Sequence, residues 1–346
     1  MASCCWPSGC APATCAIEAR LYSAAMSRLF RDVDGGPRCP HGSVVCIGAF
    51  DGLHVGHRAL VRHAVARARA LGLPAVALSF EPLPREFFAP GDPPPRLLSP
   101  RAKVEGLLSL GIDQVGLLRF NSAMAALTPE AFVIEVLVRH LSVREVWVGP
   151  DFRFGKRRGG DLALLQSMGL ALQAEGQGFA AGAIEPVLLD GERVSSTLIR
   201  AALQAGDFKA AARMLGRPYA ISGRVVPGER LGRTLGYPTA NVRLGGKVPP
   251  LTGIHATRVH GVAGQPLPAV SSLGTRPTVD GSEPLLEAHL FDFDGDLYGR
   301  RIEVEFVARL RDEEKFEDLP ALVAQMHRDA IQARAILSQD STRAPA

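Results

Sequence analysis

The sequence predicts an α/β chain: a parallel sheet covered by helices on both faces, then a small antiparallel β-barrel with a C-terminal helix. Three observations lead there. From Ser43 to about Leu215, short continuous apolar runs alternate with longer stretches of helical spacing; such runs are strands buried on both faces of a sheet. After Leu215 the text is dense in Gly, Pro and short β-rich runs, the pattern of a compact barrel. Near the end, about Leu319–Leu337 is amphipathic, a helix with one face to cover.

The first part has expected strands at Ser43–Gly48, Pro74–Phe80, Gln114–Phe120, Glu145–Gly149 and Ala183–Leu188. Its expected helices are His57–Leu71, Pro100–Leu110, Thr128–Leu141 and Thr197–Ala205. In such folds ligands sit at the carboxyl ends of the strands. Arg217-Pro218-Tyr219 opens the second part, with strands expected at Tyr219–Val226, Ile254–His260, Ala269–Leu273, Leu285–Phe291 and Arg301–Leu310. The division is then a disordered extension over 1–25, domains over 26–215 and 216–338, and a tail over 339–346.

A length of 346 residues suits two domains of roughly 100–200 residues each. With 47% hydrophobic and 21% charged residues, both can bury a core. The net charge of +4 is too small to argue for nucleic acid or membrane, yet it suits ligands that carry phosphate. No stretch is long and apolar enough to span a bilayer. All six cysteines fall in the first 46 residues, unlike a disulfide framework, which predicts a reducing, cytoplasmic setting. Cys4, Cys5, Cys10 and Cys15 lack zinc-site spacing. Their segment lacks the basic start and apolar core of a signal peptide. Residues 1–25 read as a poorly ordered extension or a matter of start-site choice, since Met26 opens a more ordinary text.

The first chemical signal is Gly48-Ala49-Phe50-Asp51-Gly52-Leu53-His54-Val55-Gly56-His57, between an expected strand and an expected helix. Its glycines let backbone approach a ligand closely. The helix start offers N–H groups and a dipole to phosphate. His54 and His57, three apart, place both rings on one side, where they can donate to a phosphate that gains charge during nucleotidyl transfer. A tight turn with surface histidines is the plainer account of a lone H-x-x-H, and it does not explain the surrounding glycines.

Arg193-Val194-Ser195-Ser196-Thr197-Leu198-Ile199-Arg200 places hydroxyls at another helix start between two arginines. Ser195 alone reads as an N-cap; the arginines add a clamp suited to β,γ-phosphates. Pro82, Pro84 and Phe88 follow one strand, and Asp151 and Phe152 another. Both segments fit an apolar slot for a flat ring system and fit plain loop packing equally well. The run Lys156-Arg157-Arg158 reads as a solvated loop.

The second signal runs from Gly223 through Gly228 and Gly236 to Pro238-Thr239-Ala240-Asn241. It is neither a P-loop nor a protein-kinase glycine loop, though a glycine-rich hairpin can cover phosphates. Thr239 and Asn241 alternate along an extended segment and point the same way. Their oxygens are hard ligands of the kind Mg²⁺ takes; a turn held by an Asx or hydroxyl bond explains them equally. Glu287 and His289 share one strand face. A carboxylate there can take the proton of an attacking hydroxyl, while an ordinary exposed strand glutamate is the simpler account.

Together these motifs resemble the bifunctional riboflavin kinase/FMN adenylyltransferases, the prokaryotic FAD synthetases, from about Val44 to Asp329. The resemblance implies a Rossmann-like nucleotidylyltransferase domain followed by a riboflavin kinase barrel. This would be a transferase that phosphorylates riboflavin with ATP to FMN, then adenylylates FMN with ATP to FAD and pyrophosphate, with Mg²⁺ as cofactor. It assigns ATP in the first domain to Gly48, Phe50, His54, Gly56, His57, Asp151, Arg193, Ser196, Thr197 and Arg200, and flavin to Pro82, Pro84 and Phe88. In the second, Gly223, Gly228 and Gly236 would line ATP, Thr239 and Asn241 would hold Mg–ATP, Glu287 would be the general base, and Arg276 and Arg311 would flank the flavin. Ala49 stands where an Asn is common, and Arg58 where a Gln is common.

The expected partners are small molecules, without nucleic acid or membrane, with weak or transient homo-oligomers as the expected form of self-association. Rival readings are a one-activity enzyme, a non-catalytic flavin or nucleotide regulator, and a nucleic-acid binder using Lys156–Arg158. Both histidines and Glu287 argue against the second, because binding alone needs neither.

Overall fold

A computed structural model describes residues 28–33, 35–228, 232, 235–278 and 281–341, with backbone alone at 276–278, 281–283 and 340–341. The expected extension over 1–25 and residues 342–346 of the tail lie outside the described residues. By contacts the chain forms two compact units. One comprises residues up to Ala49, Leu60–Phe87 and Val104–Ile184; the other Phe50–Ala59, Phe88–Lys103 and the chain from Glu185 on.

The first unit is built on a six-stranded sheet. Its strands are β1 (Leu29–Phe30), β2 (Ser43–Ile47), β3 (Ala75–Glu81), β4 (Gln114–Arg119), β5 (Val143–Val148) and β6 (Ala180–Ala183). They lie in the order β1-β4-β3-β2-β5-β6, and every pair is parallel. Val44, Val45, Cys46, Val76, Ala77 and Leu78 are fully buried, as continuous apolar strands covered on both faces must be. Winding runs outward from β2 to β4, then returns to β5 on the other side of β2. The order therefore reverses at the β2/β5 pair, where ligands gather at strand carboxyl ends in such sheets.

Three expectations are corrected in this unit. The expected strand Ala183–Leu188 is displaced: the strand is Ala180–Ala183, beside β5. Gly182 decides it, because a β-carbon there would stand 2.5 Å from the Trp147 ring, and Pro186 has no amide to give a ladder. The stretch expected as one helix from Thr128 starts with an α-turn, Pro129–Phe132, capped by Thr128 Oγ1. It then widens into a π-helix over Val133–His140. Pro84–Phe88 is a helical turn rather than a loop, and Phe87 packs edge-on against Phe120 at 5.3 Å.

The second unit holds a short hairpin, β7 (Leu188–Leu189) with β8 (Glu192–Arg193), and a closed barrel. The barrel strands are β9 (Ala220–Val226), β10 (Ala240–Val242), β11 (Gly253–His260), β12 (Leu267–Thr278), β13 (Gly281–Leu290) and β14 (Arg301–Arg311). Around the barrel the order is β10-β13-β12-β11-β14-β9, and all pairs are antiparallel. Val225, Val242, Leu273, Leu286, Ala288, Ile302 and Val304 fill it. The short β10 escaped the sequence reading, yet it closes the barrel. The last helix, Leu319–Ser341, covers Ala256 and Phe291 with Ala330, Ala333 and Leu337. It extends into the expected tail over 339–346.

Candidate functional site

The segment after β2 turns sharply. Phe50 and Leu53 have positive φ, 50° and 46°, and Gly52 has φ 87°. A β-carbon on Gly52 would press on Leu97, so glycine is required both for its backbone angle and for the close approach. The helix that follows is Val55–Leu71, which puts His54 just before its first turn. His54 Nδ1 accepts the His57 amide at 3.3 Å, so the imidazole does the work of an N-cap. That bond leaves the ring proton on Nε2. The two rings stack with centroids 3.7 Å apart and planes 19° apart, and Phe50, fully buried, meets His57 edge-on at 5.4 Å.

Burial sets the charge of this pair. It lowers the pKa of His54 to about 4, with Arg193 adding in the same direction. His57 falls well below its usual value through burial, then through His54 and Lys103. Both rings are neutral at pH 7. His57 Nδ1 is enclosed and has no hydrogen-bond partner among the described residues, a cost that a bound acceptor or donor would relieve. Lys103, on the helix Pro100–Ser109, is fully buried, and its charge reaches His57. The sequence reading missed it, since a lysine inside a helix ordinarily faces water.

A stability prediction follows with its sign. The unfolded histidine titrates near 6.5 and folded His54 at about 4, so the unfolded chain binds more protons between those values. Stability is full above pH 6.5 and is lost as pH falls towards 4, by about 3 kcal/mol from His54 alone. His255, buried in the barrel and also lowered to about 4, acts in the same direction. Denaturant melts at pH 7.5 and pH 4.5 check it: the midpoint drops in acid.

The other residues expected at this site divide. Ser195 is the N-cap of the helix Ser196–Gln204, accepting the Leu198 amide. Ser196 Oγ donates to the Asp51 carbonyl at 2.9 Å. Thr197 and Arg193 are exposed. Arg200 is engaged internally: Nη2 donates to Asp51 Oδ2 at 2.6 Å and Nε to the Pro95 carbonyl at 2.6 Å. Asp151 is exposed, in a shallow cavity with Arg153, Arg158 and Asp161. Pro82 and Pro84 are half-buried, while Phe88 is 68% exposed. Lys156, Arg157 and Arg158 form an exposed turn.

In the barrel, a cavity of about 430 Å³ is lined by Tyr237, Thr239, Asn241, Glu287, His289, Arg311 and Asp329 among others. Barrel register makes this convergence. Asn241 on β10 lies directly opposite Glu287 on β13, and Thr239 Oγ1 donates to Glu287 Oε1 at 3.3 Å. Residues far apart in sequence thus present a hydroxyl, a carboxamide and a carboxylate to one space. Arg311 is locked by Asp329, with Nε at 3.1 Å from both carboxylate oxygens and Nη2 at 2.8 Å from Oδ2. Gln325 Nε2 donates to Asp329 Oδ1 at 2.8 Å.

Three glycines expected near ATP prove distinct. A β-carbon on Gly223 would stand 2.6 Å from the Arg243 carbonyl, so strand packing in the barrel explains it. One on Gly228 would overlap the Asn241 carboxamide, so Gly228 reserves room for a cavity side chain. Gly236 has φ 84°, an angle that favours glycine. Arg276 lies on β12, its side chain outside the described residues.

Comparison with known proteins agrees in both halves. Residues 36–198 match the family model for FAD synthetase, and residues 215–337 the model for riboflavin kinase. A curated bifunctional riboflavin kinase/FMN adenylyltransferase of Escherichia coli K12 is 44% identical over 308 residues, 89% of this chain and 97% of that protein. Its counterpart from Pseudomonas fluorescens is 45% identical over 304 residues, 87% of this chain and 95% of that protein. Among solved structures, one named a macrolide-efflux protein from Streptococcus pneumoniae has a TM-score of 0.70 and 32% identity, covering 88% of this chain and 98% of its own. Among the described residues no helix is long and apolar enough to cross a membrane. With near-complete coverage of both relatives and separate matches to each half, the chain belongs to the bifunctional riboflavin kinase/FMN adenylyltransferase family.

Proposed function

We propose that this chain makes flavin cofactors in two steps, converting riboflavin and ATP to FMN and ADP, then FMN and ATP to FAD and pyrophosphate. The observation that carries the reading is that one chain of this family holds two separate groups of polar side chains, in segments matching the FAD synthetase and riboflavin kinase models. One is the stacked neutral histidines; the other is the Thr239, Asn241 and Glu287 cavity. Residues 26–215 take the adenylyltransferase role and 216–338 the kinase role.

In the kinase cavity, Glu287 accepts the proton of the riboflavin 5′-hydroxyl as its oxygen attacks the γ-phosphorus and ADP leaves. The Thr239 hydroxyl orients that carboxylate. Thr239 and Asn241 fit Mg²⁺, since both offer hard neutral oxygens. No cluster of three His, Cys, Asp or Glu exists among the described residues, and a nucleotide-bound Mg²⁺ needs only one or two protein oxygens. When bound, Mg²⁺ neutralises phosphate charge. Arg311, held by Asp329, takes the flavin side of the cavity.

At the first site, an FMN phosphate oxygen attacks the α-phosphorus of ATP and pyrophosphate leaves. His54 and His57 donate to the phosphate oxygens as charge builds, without taking up a proton. Gly48, Phe50 and Gly56 shape the loop, and Arg193, Ser196, Thr197 and Asp151 complete the nucleotide contacts. Pro82, Pro84 and Phe88 receive the flavin ring. The setting is the cytoplasm, in keeping with free, buried Cys39 and Cys46. The partners are small molecules, and any self-association is of a weak or transient kind.

The test is to incubate the purified protein with riboflavin, ATP and Mg²⁺ and separate the flavins over time. FMN first and FAD after is the expected course. FMN alone would remove the adenylylation step and make Ala49 the first suspect. No FMN from riboflavin, with FAD formed from added FMN, would remove the kinase roles of Thr239, Asn241 and Glu287. Gly228→Ala is expected to displace Asn241 and slow FMN formation about tenfold or more, with FAD formation from FMN unchanged in the same assay.

A further inference from the structure

Three segments distant in sequence meet on one buried carboxylate. Asp51 is 2% exposed. Its Oδ1 accepts the amides of Leu97 and Leu98, each at 3.1 Å. Its Oδ2 accepts Nη2 of Arg200 at 2.6 Å. That ion pair is nearly dry, since the Arg200 side chain is only 12% exposed. The Asp51 carbonyl accepts Ser196 Oγ, and Arg200 Nε reaches back to the Pro95 carbonyl. The result is a closed circuit through residues 51, 95–98 and 196–200.

Each segment in the circuit leads to a group of the adenylyl-transfer site. Asp51 stands three residues before His54. Leu98 precedes Ser99, whose Oγ accepts the Ala102 amide at 3.2 Å at the start of the helix that carries Lys103. Ser196 and Arg200 belong to the helix capped by Ser195. Around Asp51 the backbone is strained, with positive φ at Phe50, Gly52 and Leu53. Non-glycine residues hold such angles only when the surroundings over-determine them.

We infer that Asp51 is a positioning residue of the adenylyl-transfer site, fixing the His54–His57 loop, the Lys103 helix and the Arg200 helix in one arrangement. The inference rests on the adenylyl-transfer reading of the histidines given above. It also changes the part of Arg200, which serves as the cationic tether of Asp51. The charge matters because a guanidinium has only donors. An asparagine keeps one acceptor for Leu97 and Leu98 but turns its own amide donors towards Arg200.

The test uses full-length Asp51→Asn, Arg200→Gln and the double variant. FAD formation from FMN and FMN formation from riboflavin are measured on each sample, and the histidine rings are followed by ¹⁵N NMR titration. Asp51→Asn is expected to lower kcat for FAD formation about thirtyfold, with KM for ATP within about threefold and riboflavin phosphorylation retained. The double variant should be no worse than Asp51→Asn, because coupled residues are not additive. The His54 titration midpoint should rise towards 6.5 as its cap loosens. FAD formation within about threefold of the unmodified protein overturns the inference; so does an equal loss of both activities, or a double variant that multiplies the single losses. If the unmodified protein makes no FAD from FMN, the function assigned to the site fails instead. The NMR titration then decides the positioning role: a moved His54 midpoint supports it and an unmoved one overturns it.

Discussion

Glu287→Ala is expected to lower the rate of FMN formation from riboflavin roughly 10²-fold or more, the span a positioned general base supplies, while FAD formation from FMN persists. Three features of the cavity argue for this. Glu287 lines it beside Thr239 and Asn241. Thr239 Oγ1 donates to its carboxylate, which orients that group in the cavity. The strand pair that sets Glu287 opposite Asn241 is part of a closed barrel, so the backbone that carries the carboxylate is held in register. Glu287→Gln keeps the size and the Thr239 contact but cannot take a proton, so it should lose turnover with little change in KM. Both variants are measured with FMN-to-FAD conversion on the same sample. An unchanged kinase rate in either one ends the general-base assignment.

The second large effect is expected at His57. His57→Ala should cost FAD formation ~10²-fold or more, the scale of losing one transition-state donor, with riboflavin phosphorylation intact. The ring is stacked on His54, bordered by Phe50, and kept neutral by burial and by the charges of its neighbours. A neutral donor held in place costs no reorganisation when the phosphate gains charge. Because the pair stays neutral down to low pH, FAD formation should show no loss attributable to histidine protonation between pH 8 and pH 6.5. A rate that halves near pH 6.5 together with a His57 NMR midpoint there would remove the neutral-donor argument. Loss of both activities in folded His57→Ala would remove the two-site division.

Much of the fold was legible because its signals are local. Apolar runs of five to seven residues such as Ser43–Ile47 and Ala75–Glu81 can only be buried strands between helices, and their alternation implies parallel pairing. The strand–helix alternation failed at its last strand, Ala180–Ala183, where Gly182 packs against the Trp147 ring. It failed again at Pro84–Phe88, where two prolines read as a loop although one starts a helix. β10 is three residues long, too short for periodicity to show, and only its two barrel neighbours make it a strand.

The sequence by itself determined the chemistry within reach of one turn or one strand: the H-x-x-H at a helix start, the Thr-x-Asn alternation, the carboxylate on a strand face. Spacing of three on a helix or two on a strand dictates those directions whatever the rest of the chain does. Tertiary structure decided what those groups are when folded. It removed water from His54 and His57 and so made them neutral. It brought Glu287 opposite Asn241 through barrel closure, drew Lys103 into the interior, and turned Arg200 inward onto Asp51. Each of these depends on burial and on pairing across more than forty residues, and neither dielectric nor long-range register is written in local spacing.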